Sequence, residues 1–210
     1  MIRPPGVRGG AFGSAADGNG RDDPGARRRI SAALGIPEGW AILRQVHGAE
    51  VVWASRAGHL GDGDAAVTDR PMLPLSVATA DCFPVILETE GAVGIAHAGW
   101  RGAAEGVVAA LRSALELAGA PVLRAAVGPG IGPCCFEVSP DVVARFPGSS
   151  ASTRWGTRSV DLPAVIRAQL VGVKDVWEAG VCTRCDEAYH SHRRDGTRDR
   201  QVAVAWLSST

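Results

Sequence analysis

The stretch from Thr79 to Gly102, TADCFPVILETEGAVGIAHAGWRG, constrains this chain more than any other. Two apolar runs, Pro84 to Glu88 and Ala92 to His97, flank the turn signal Thr89-Glu90-Gly91, the pattern of a β-hairpin. The start of a helix follows. Pairing Glu88 with Ala92 across the turn sets Phe83 against His97 and Cys82 against Ala98, so Cys82 and His97 meet at the open end of the hairpin. Cross-strand neighbours have Cβ atoms about 5 Å apart. At that separation a thiolate and an imidazole can share one metal ion or one proton.

A chain of 210 residues, 46% apolar and 21% charged, is long enough for one substantial core. Its formal net charge of zero offers no basic excess for nucleic acid. The positive charge is almost all arginine, Lys174 being the only lysine, which reads as coding bias. No apolar run approaches the roughly 20 residues of a membrane span. The N-terminal residues contain no apolar signal-peptide segment, so a cytoplasmic location is expected. Five cysteines, an odd number, then favour reduced thiols or metal ligands over disulfides.

Residues 1–22, rich in Gly, Arg, Asp and Pro, read as a flexible N-terminal segment ahead of a single catalytic domain, residues 23–210. Asp23-Pro24 opens a helix that ends at Gly35. Trp40 to Val46 and Glu50 to Ala54 are strand-like runs around a tight connection that carries His47. Gly58 to Asp64, GHLGDGD, reads as a polar loop, and Leu73 to Thr79 as the strand that delivers Ala80-Asp81-Cys82. Ala103 to Ala118 is a helix with Ala104, Val107, Val108, Leu111 and Leu115 as its buried stripe, stopped by Gly119. Leu123 to Val127 is a strand running into an irregular Gly128 to Cys135. Short helices are expected from Pro140 and after Asp161, and the last strands at Val173 to Trp177 and Gln201 to Leu207. This order predicts one α/β domain built on a mixed β-sheet flanked by helices.

Cys82 and His97 supply two ligands, and catalytic zinc usually takes three from the protein. His59 lies in the polar loop, and His190 and His192 flank Ser191 near the C-terminus. His47, on a rigid turn between strands, suits best, though spacing alone leaves the choice open.

Five motifs extend the argument: RQVHG (Arg44 to Gly48), TADC-x-P (Thr79 to Pro84), HAGWRG (His97 to Gly102), GPGIGPCCFEV (Gly128 to Val138) and the late CT…SHRRDG (Cys182 to Gly196). In this order they resemble the YfiH-type family, also labelled multicopper polyphenol oxidase or laccase domain, peptidoglycan editing factor, and purine nucleoside phosphorylase. The resemblance runs from about Arg44 to the C-terminus. It implies a fold similar to the catalytic domain of the cytotoxic necrotising toxins, and a zinc ion held by His47, Cys82 and His97. It also implies phosphorolysis of adenosine, inosine and methylthioadenosine, with deamination of adenosine alongside. The chain departs from the family pattern in its short Asn19-Gly20-Arg21-Asp22-Asp23 segment. It departs again at Thr197-Arg198-Asp199-Arg200, where a Thr-Gly-Arg is usual.

The oxidase label meets a count. A four-copper site needs roughly ten histidines plus a cysteine, and this chain has five histidines. Copper at a single site remains chemically open. Zinc lowers the pKa of a coordinated water to near 7, which suits attack at C6 of adenine. In phosphorolysis the nucleophile is instead phosphate, attacking C1′ of the ribose.

Asp81, next to Cys82, is the candidate proton shuttle or ligand orienter, completing a catalytic set of Asp81, Cys82 and His97. Arg44, Arg101 and Arg193 are candidates for phosphate or ribose contacts, because guanidinium groups suit oxyanions. The Gly128 to Pro133 loop lacks the Lys-Ser/Thr of a nucleotide-triphosphate loop. Cys134 and Cys135 read as packing thiols, and Cys182-x-x-Cys185 lacks a second such pair to complete a zinc site. Three function classes follow. The first is a zinc-dependent purine nucleoside phosphorylase with adenosine deaminase side activity. The second is a metal-free Cys-His amidase or hydrolase linked to peptidoglycan, with Cys82 as nucleophile and His97 as base. The third is a binding protein in which zinc only staples the hairpin. The expected partners are a purine nucleoside and phosphate, with neither nucleic acid nor membrane. Oligomeric state is not encoded in any of these motifs.

Overall fold

The computed structural model describes residues 1–208. In chain order the elements are β1 (Gly10–Phe12), α1 (Pro24–Leu34), β2 (Ala41–Arg44), β3 (Val51–Trp53), β4 (Gly58–Asp62), β5 (Ala65–Thr68), β6 (Leu75–Thr79), β7 (Phe83–Glu88) and β8 (Val93–Ala98). They continue as α2 (Trp100–Glu105), α3 (Val107–Leu117), β9 (Arg124–Val127), α4 (Pro140–Ala144), β10 (Ser150–Ser152), β11 (Arg158–Val160), α5 (Leu162–Gln169), β12 (Asp175–Glu178), α6 (His192–Asp195) and β13 (Gln201–Ala205).

The expected single mixed sheet is resolved into two. One has the order β1-β13-β6-β2-β4, the other β12-β9-β7-β8-β5-β3, and β10-β11 form a separate small ribbon. Parallel and antiparallel pairs occur in both large sheets. Alternation along the strands explains the packing. Leu75 and Val77 of β6, Ile86 of β7, Val93 and Ile95 of β8, and Ala203 and Ala205 of β13 share one core cluster, sandwiched between the sheets. The opposite parity on the six-stranded sheet, Val85, Leu87 and Ala96, packs with Val107, Val108, Leu111 and Leu115 of α3. Burying each of those helix side chains contributes about 1.5–3 kcal/mol. On the other side, Val202, Val204 and Ile42 meet Ile30 and Leu34 of α1. The result is four layers, helix–sheet–sheet–helix. Strands covered on both faces read as continuous apolar runs, and a continuous run does not reveal that two sheets are stacked.

Several local expectations hold. The Asp23 side chain caps α1 by accepting from Gly25 N, and Gly35 ends it in a left-handed conformation at φ 70°. Others need correction. Within residues 1–22, expected to be flexible, β1 pairs antiparallel with β13 and buries Ala11 and Phe12. The polar loop at Gly58 to Asp64 is largely strand β4, and β5 follows it directly. The helix expected from Ala103 begins at Trp100 and breaks at Gly106, whose φ of 82° separates α2 from α3. Among the described residues no helix is long and apolar enough to cross a membrane.

The hairpin register is also corrected. Glu88 pairs with Val93, not Ala92, so Phe83 faces Ala98 and Pro84 faces His97. The cause is Thr89. Its backbone N–H donates to Ala92 O at 3.0 Å, while its hydroxyl accepts from Ala92 N and Gly91 N at 2.9 and 3.2 Å. These bonds tighten the turn to two tip residues, Glu90 and Gly91. The one-residue slip exchanges faces. In the expected register Cys82 and His97 point to opposite sides of the ribbon. In the observed one, Cys82 continues the parity of Pro84 and Ile86, the same face as His97 and Ile95, toward the second sheet.

Candidate metal centre and adjoining cavity

The second sheet delivers the third side chain to that face. His47 follows β2 in a turn where it takes φ 64°, a left-handed conformation costly for a side-chain-bearing residue. The strain is held by Asp64. One of its carboxylate oxygens accepts from Val46 N at 3.0 Å and Gly48 N at 2.8 Å, the two amides flanking His47. The other lies 2.7 Å from His97 Nδ1. The backbone closes the same contact, His97 N donating to Asp64 O at 2.7 Å. Asp64 is fully buried, and with Nδ1 engaged, Nε2 is the His97 nitrogen left for other ligands.

His47, Cys82 and His97 thus converge, their ligand atoms all within 4.8 Å of one another. The two imidazoles meet edge to face, with ring centroids 4.8 Å apart. His97 is buried, Cys82 half-buried and His47 exposed. Two imidazoles and a thiol, one imidazole held by a buried carboxylate, form a donor set that suits zinc with a coordination place free. Gly99 makes room for it: a Cβ there would lie 3.0 Å from Cys82 Sγ and 3.1 Å from His47 Cδ2.

The electrostatics prepare a thiolate. Burial alone would push the Cys82 thiol up, but the charge of His97 and hydrogen bonds from His47 and His97 outweigh it, bringing it down to about 6. Burial likewise opposes a charged His97, yet the Cys82 thiolate and the Asp64 carboxylate raise it to about 9. Asp64 is lowered against its own burial by His97 and the Gly48 and Val46 amides.

Beside these three side chains lies a cavity of about 440 Å³. Arg21, Arg101, Arg193 and Arg200 line it, together with Trp100 and Phe136. The Arg101 guanidinium stacks 4.5 Å from the Trp100 ring centroid. Arg193 lies over Phe136 and donates to Glu137 O at 2.6 Å. Of the three arginines singled out in the sequence, Arg101 and Arg193 therefore reach the cavity, and Arg44 does not. Arg44 is exposed on β2, where Asp62 of the paired strand β4 binds its guanidinium through both carboxylate oxygens. The neighbouring strand supplied an acid that the sequence order hid.

Asp81 lines the cavity, but its carboxylate is committed elsewhere. One oxygen accepts from Thr183 Oγ1 and the other from Arg193 N, both at 2.7 Å. With φ 84° and its carbonyl accepting from Ile131 N, it ties three segments together at the cavity wall. Its geometry is that of a positioning group.

Sequence reasoning missed Asp64, Arg21 and Arg200. The one local signal for Asp64 is an acid abutting the apolar run Ala65 to Val67. Arg21 belongs to the segment where the family pattern is shortened, yet it hydrogen-bonds Gln45 Oε1 at 3.0 Å at the cavity rim. Arg200 sits in the altered stretch before β13.

Two sheets closing on a His-Cys-His cluster beside an arginine-lined cavity define an α/β protein with a candidate mononuclear metal centre. The family described as multi-copper polyphenol oxidoreductase laccase matches residues 6–208, and the chain belongs to that family. A Streptomyces coelicolor protein named purine nucleoside phosphorylase is 38% identical over 206 residues, covering 89% of this chain and 84% of the relative. One of the same description from Deinococcus radiodurans is 37% identical over 218 residues, covering 96% and 85%. Among solved structures, YlmD from Geobacillus stearothermophilus aligns with a TM-score of 0.87 at 28% identity, covering 100% of this chain and 98% of that one. YfiH from Bacillus licheniformis aligns with a TM-score of 0.81, also at 28% identity, covering 90% and 82%.

Proposed function

We propose that this protein is a zinc-dependent purine nucleoside phosphorylase acting on adenosine, inosine and methylthioadenosine, with adenosine deamination as a side activity. The observation that carries the reading is the convergence of His47, Cys82 and His97 at the edge of a cavity lined by four arginines. The names of the curated relatives point the same way.

His47, Cys82 and His97 would hold the metal, which supplies Lewis acidity at its free coordination place. The chain's own groups do the rest. Asp64 fixes the His97 tautomer and the His47 turn. Arg101, Arg193, Arg200 and Arg21 offer the planar donors that phosphate takes bidentately. Trp100 and Phe136 provide flat apolar surface for a purine. In phosphorolysis a phosphate oxygen forms the new bond to C1′ as the C1′–N9 bond breaks. The electron pair stays on the purine, which takes up a proton, and ribose 1-phosphate is the second product. Asp81 holds the Arg193 backbone and Thr183 at the wall, shaping the pocket for both substrates.

A second reading has a specific observation in its favour: Cys82, His97 and Asp64 also form the thiolate–imidazolium–carboxylate series of a metal-free cysteine hydrolase. His47 argues against it, because that mechanism needs no second imidazole at the thiol. A copper-dependent oxidase finds little further support, since among the described residues His59 is exposed on β4 and His192 lines the cavity, and neither joins the His47–Cys82–His97 group. The deciding experiment measures base release from inosine, with and without phosphate, in zinc-loaded and chelated protein. Phosphate-dependent release that follows zinc content is the expected result. Phosphate-independent turnover of an amide by the chelated protein would replace this reading with the second.

A further inference from the structure

A second group of soft ligands lies outside that cavity. Cys134 and Cys135, at the end of the Gly128 to Cys135 loop, meet Cys182 and Cys185 from the turn after β12, with all four sulfurs within 4.8 Å of one another. Cys185 Sγ is 3.3 Å from Cys135 Sγ and 3.8 Å from Cys134 Sγ. A tetrahedral zinc with Zn–S bonds of about 2.3 Å places its sulfurs about 3.8 Å apart. The geometry points to a structural zinc site made of Cys134, Cys135, Cys182 and Cys185, separate from the His-Cys-His centre.

Three features of the surroundings suit a tetrathiolate. Gly132 N donates to Cys182 Sγ at 3.2 Å, the kind of backbone donor that steadies a metal-bound thiolate. Arg154 brings a guanidinium nitrogen to 3.8 Å from Cys185 Sγ, offsetting the excess negative charge of four thiolates on one divalent ion. Cys135 is fully buried and Cys185 exposed, so the group has a closed floor and an entry side.

The site also has a structural task. Gly130 and Cys182 form a parallel bridge, with Thr183 N donating to Gly130 O at 3.0 Å. Those strands of chain carry Ile131 and Thr183, which hold Asp81 at the cavity wall. Zinc on the four thiols would cross-link the two segments and stiffen that wall from behind.

The test uses the full chain, expressed with zinc and purified without chelator. Metal analysis of the wild type, of Cys182→Ser/Cys185→Ser, and of His47→Ala/His97→Ala separates the two sites. The expected result is loss of one zinc equivalent per chain in the cysteine variant. The histidine variant retains a metal that, exchanged for cobalt, shows the intense sulfur-to-cobalt charge-transfer absorption of four thiolates. Should the cysteine variant fail to fold, alkylation mapping by mass spectrometry on the wild type decides. Cys134, Cys135, Cys182 and Cys185 should be protected before chelation and labelled after it. Labelling of these thiols in the zinc-loaded protein, an unchanged zinc content in the cysteine variant, or a Cys135–Cys185 disulfide in protein purified without oxygen would each overturn the assignment. None of these outcomes depends on phosphorylase activity.

Discussion

Asp64 and His97, 33 residues apart in sequence, are joined by a 2.7 Å contact to Nδ1, and the same carboxylate clamps the amides on either side of His47. One buried side chain therefore orients two of the three candidate ligands. Carboxylates in this position commonly change metal affinity 10–100-fold when altered.

Asp64→Asn keeps the shape but sets an amide N–H against the Val46 or Gly48 amide, or against His97. Zinc affinity should fall about 10–100-fold, read by chelator competition, with the circular dichroism spectrum preserved. Asp64→Ala leaves both amides without a partner and should lower stability by about 3 kcal/mol, read from the urea midpoint. Wild-type zinc affinity in the Asn variant would remove Asp64 from this role.

Gly99→Ala tests the crowding at the ligands. Its Cβ would press on Cys82 Sγ and His47 Cδ2 at 3.0 and 3.1 Å, displacing two ligands at once. Zinc bound at the His-Cys-His centre and inosine phosphorolysis should drop together, while the melting temperature moves little. Full activity in that variant would mean the cluster is looser than its geometry.

The pH dependence of Cys82 follows from its lowered value. In chelated protein its alkylation by iodoacetamide should be near its plateau at neutral pH and fall as pH drops through about 6. An ordinary thiol would gain reactivity only near 8.5. Because the folded value lies below the unfolded one, the thiolate's contribution to stability is present above the ordinary thiol range and is lost as pH falls through about 6. His97 runs the other way: its contribution is complete below the ordinary histidine value and disappears as pH rises through about 9. An alkylation midpoint in the ordinary thiol range would refute the thiolate–imidazolium pair.

The arginines divide by position. Arg101→Ala and Arg200→Ala should each raise KM for phosphate about tenfold, the effect of losing one charge-assisted contact, without unfolding the protein. Arg44→Ala removes only an exposed pair with Asp62 and should leave the kinetics within twofold of wild type. A large defect in Arg44→Ala would place phosphate outside the cavity described.

The hairpin, its two apolar runs and the placing of Cys82 and His97 at its open end are legible in the sequence because each depends on residues close along the chain. So are the Asp23 cap and the Gly35 stop of α1. The register is not: one hydroxyl, Thr89, decides between a two- and a three-residue turn, and with it the face that Cys82 takes. Gly58 to Asp64 reads as a loop because its polar residues conceal an edge strand, and Asp64 is hidden with it.

What the sequence by itself determined is therefore the set of candidate ligand types and the local elements that carry them. The packing of two sheets decided that His47 faces the hairpin, that Asp64 reaches both histidine segments, and that Arg44 meets Asp62 instead of the cavity. It also gathered four cysteines, Cys135 and Cys185 among them 50 positions apart, into one cluster. Which strands pair, and which sheet faces lie together, is set by summed burial across the whole chain, and no local pattern of residues encodes that sum.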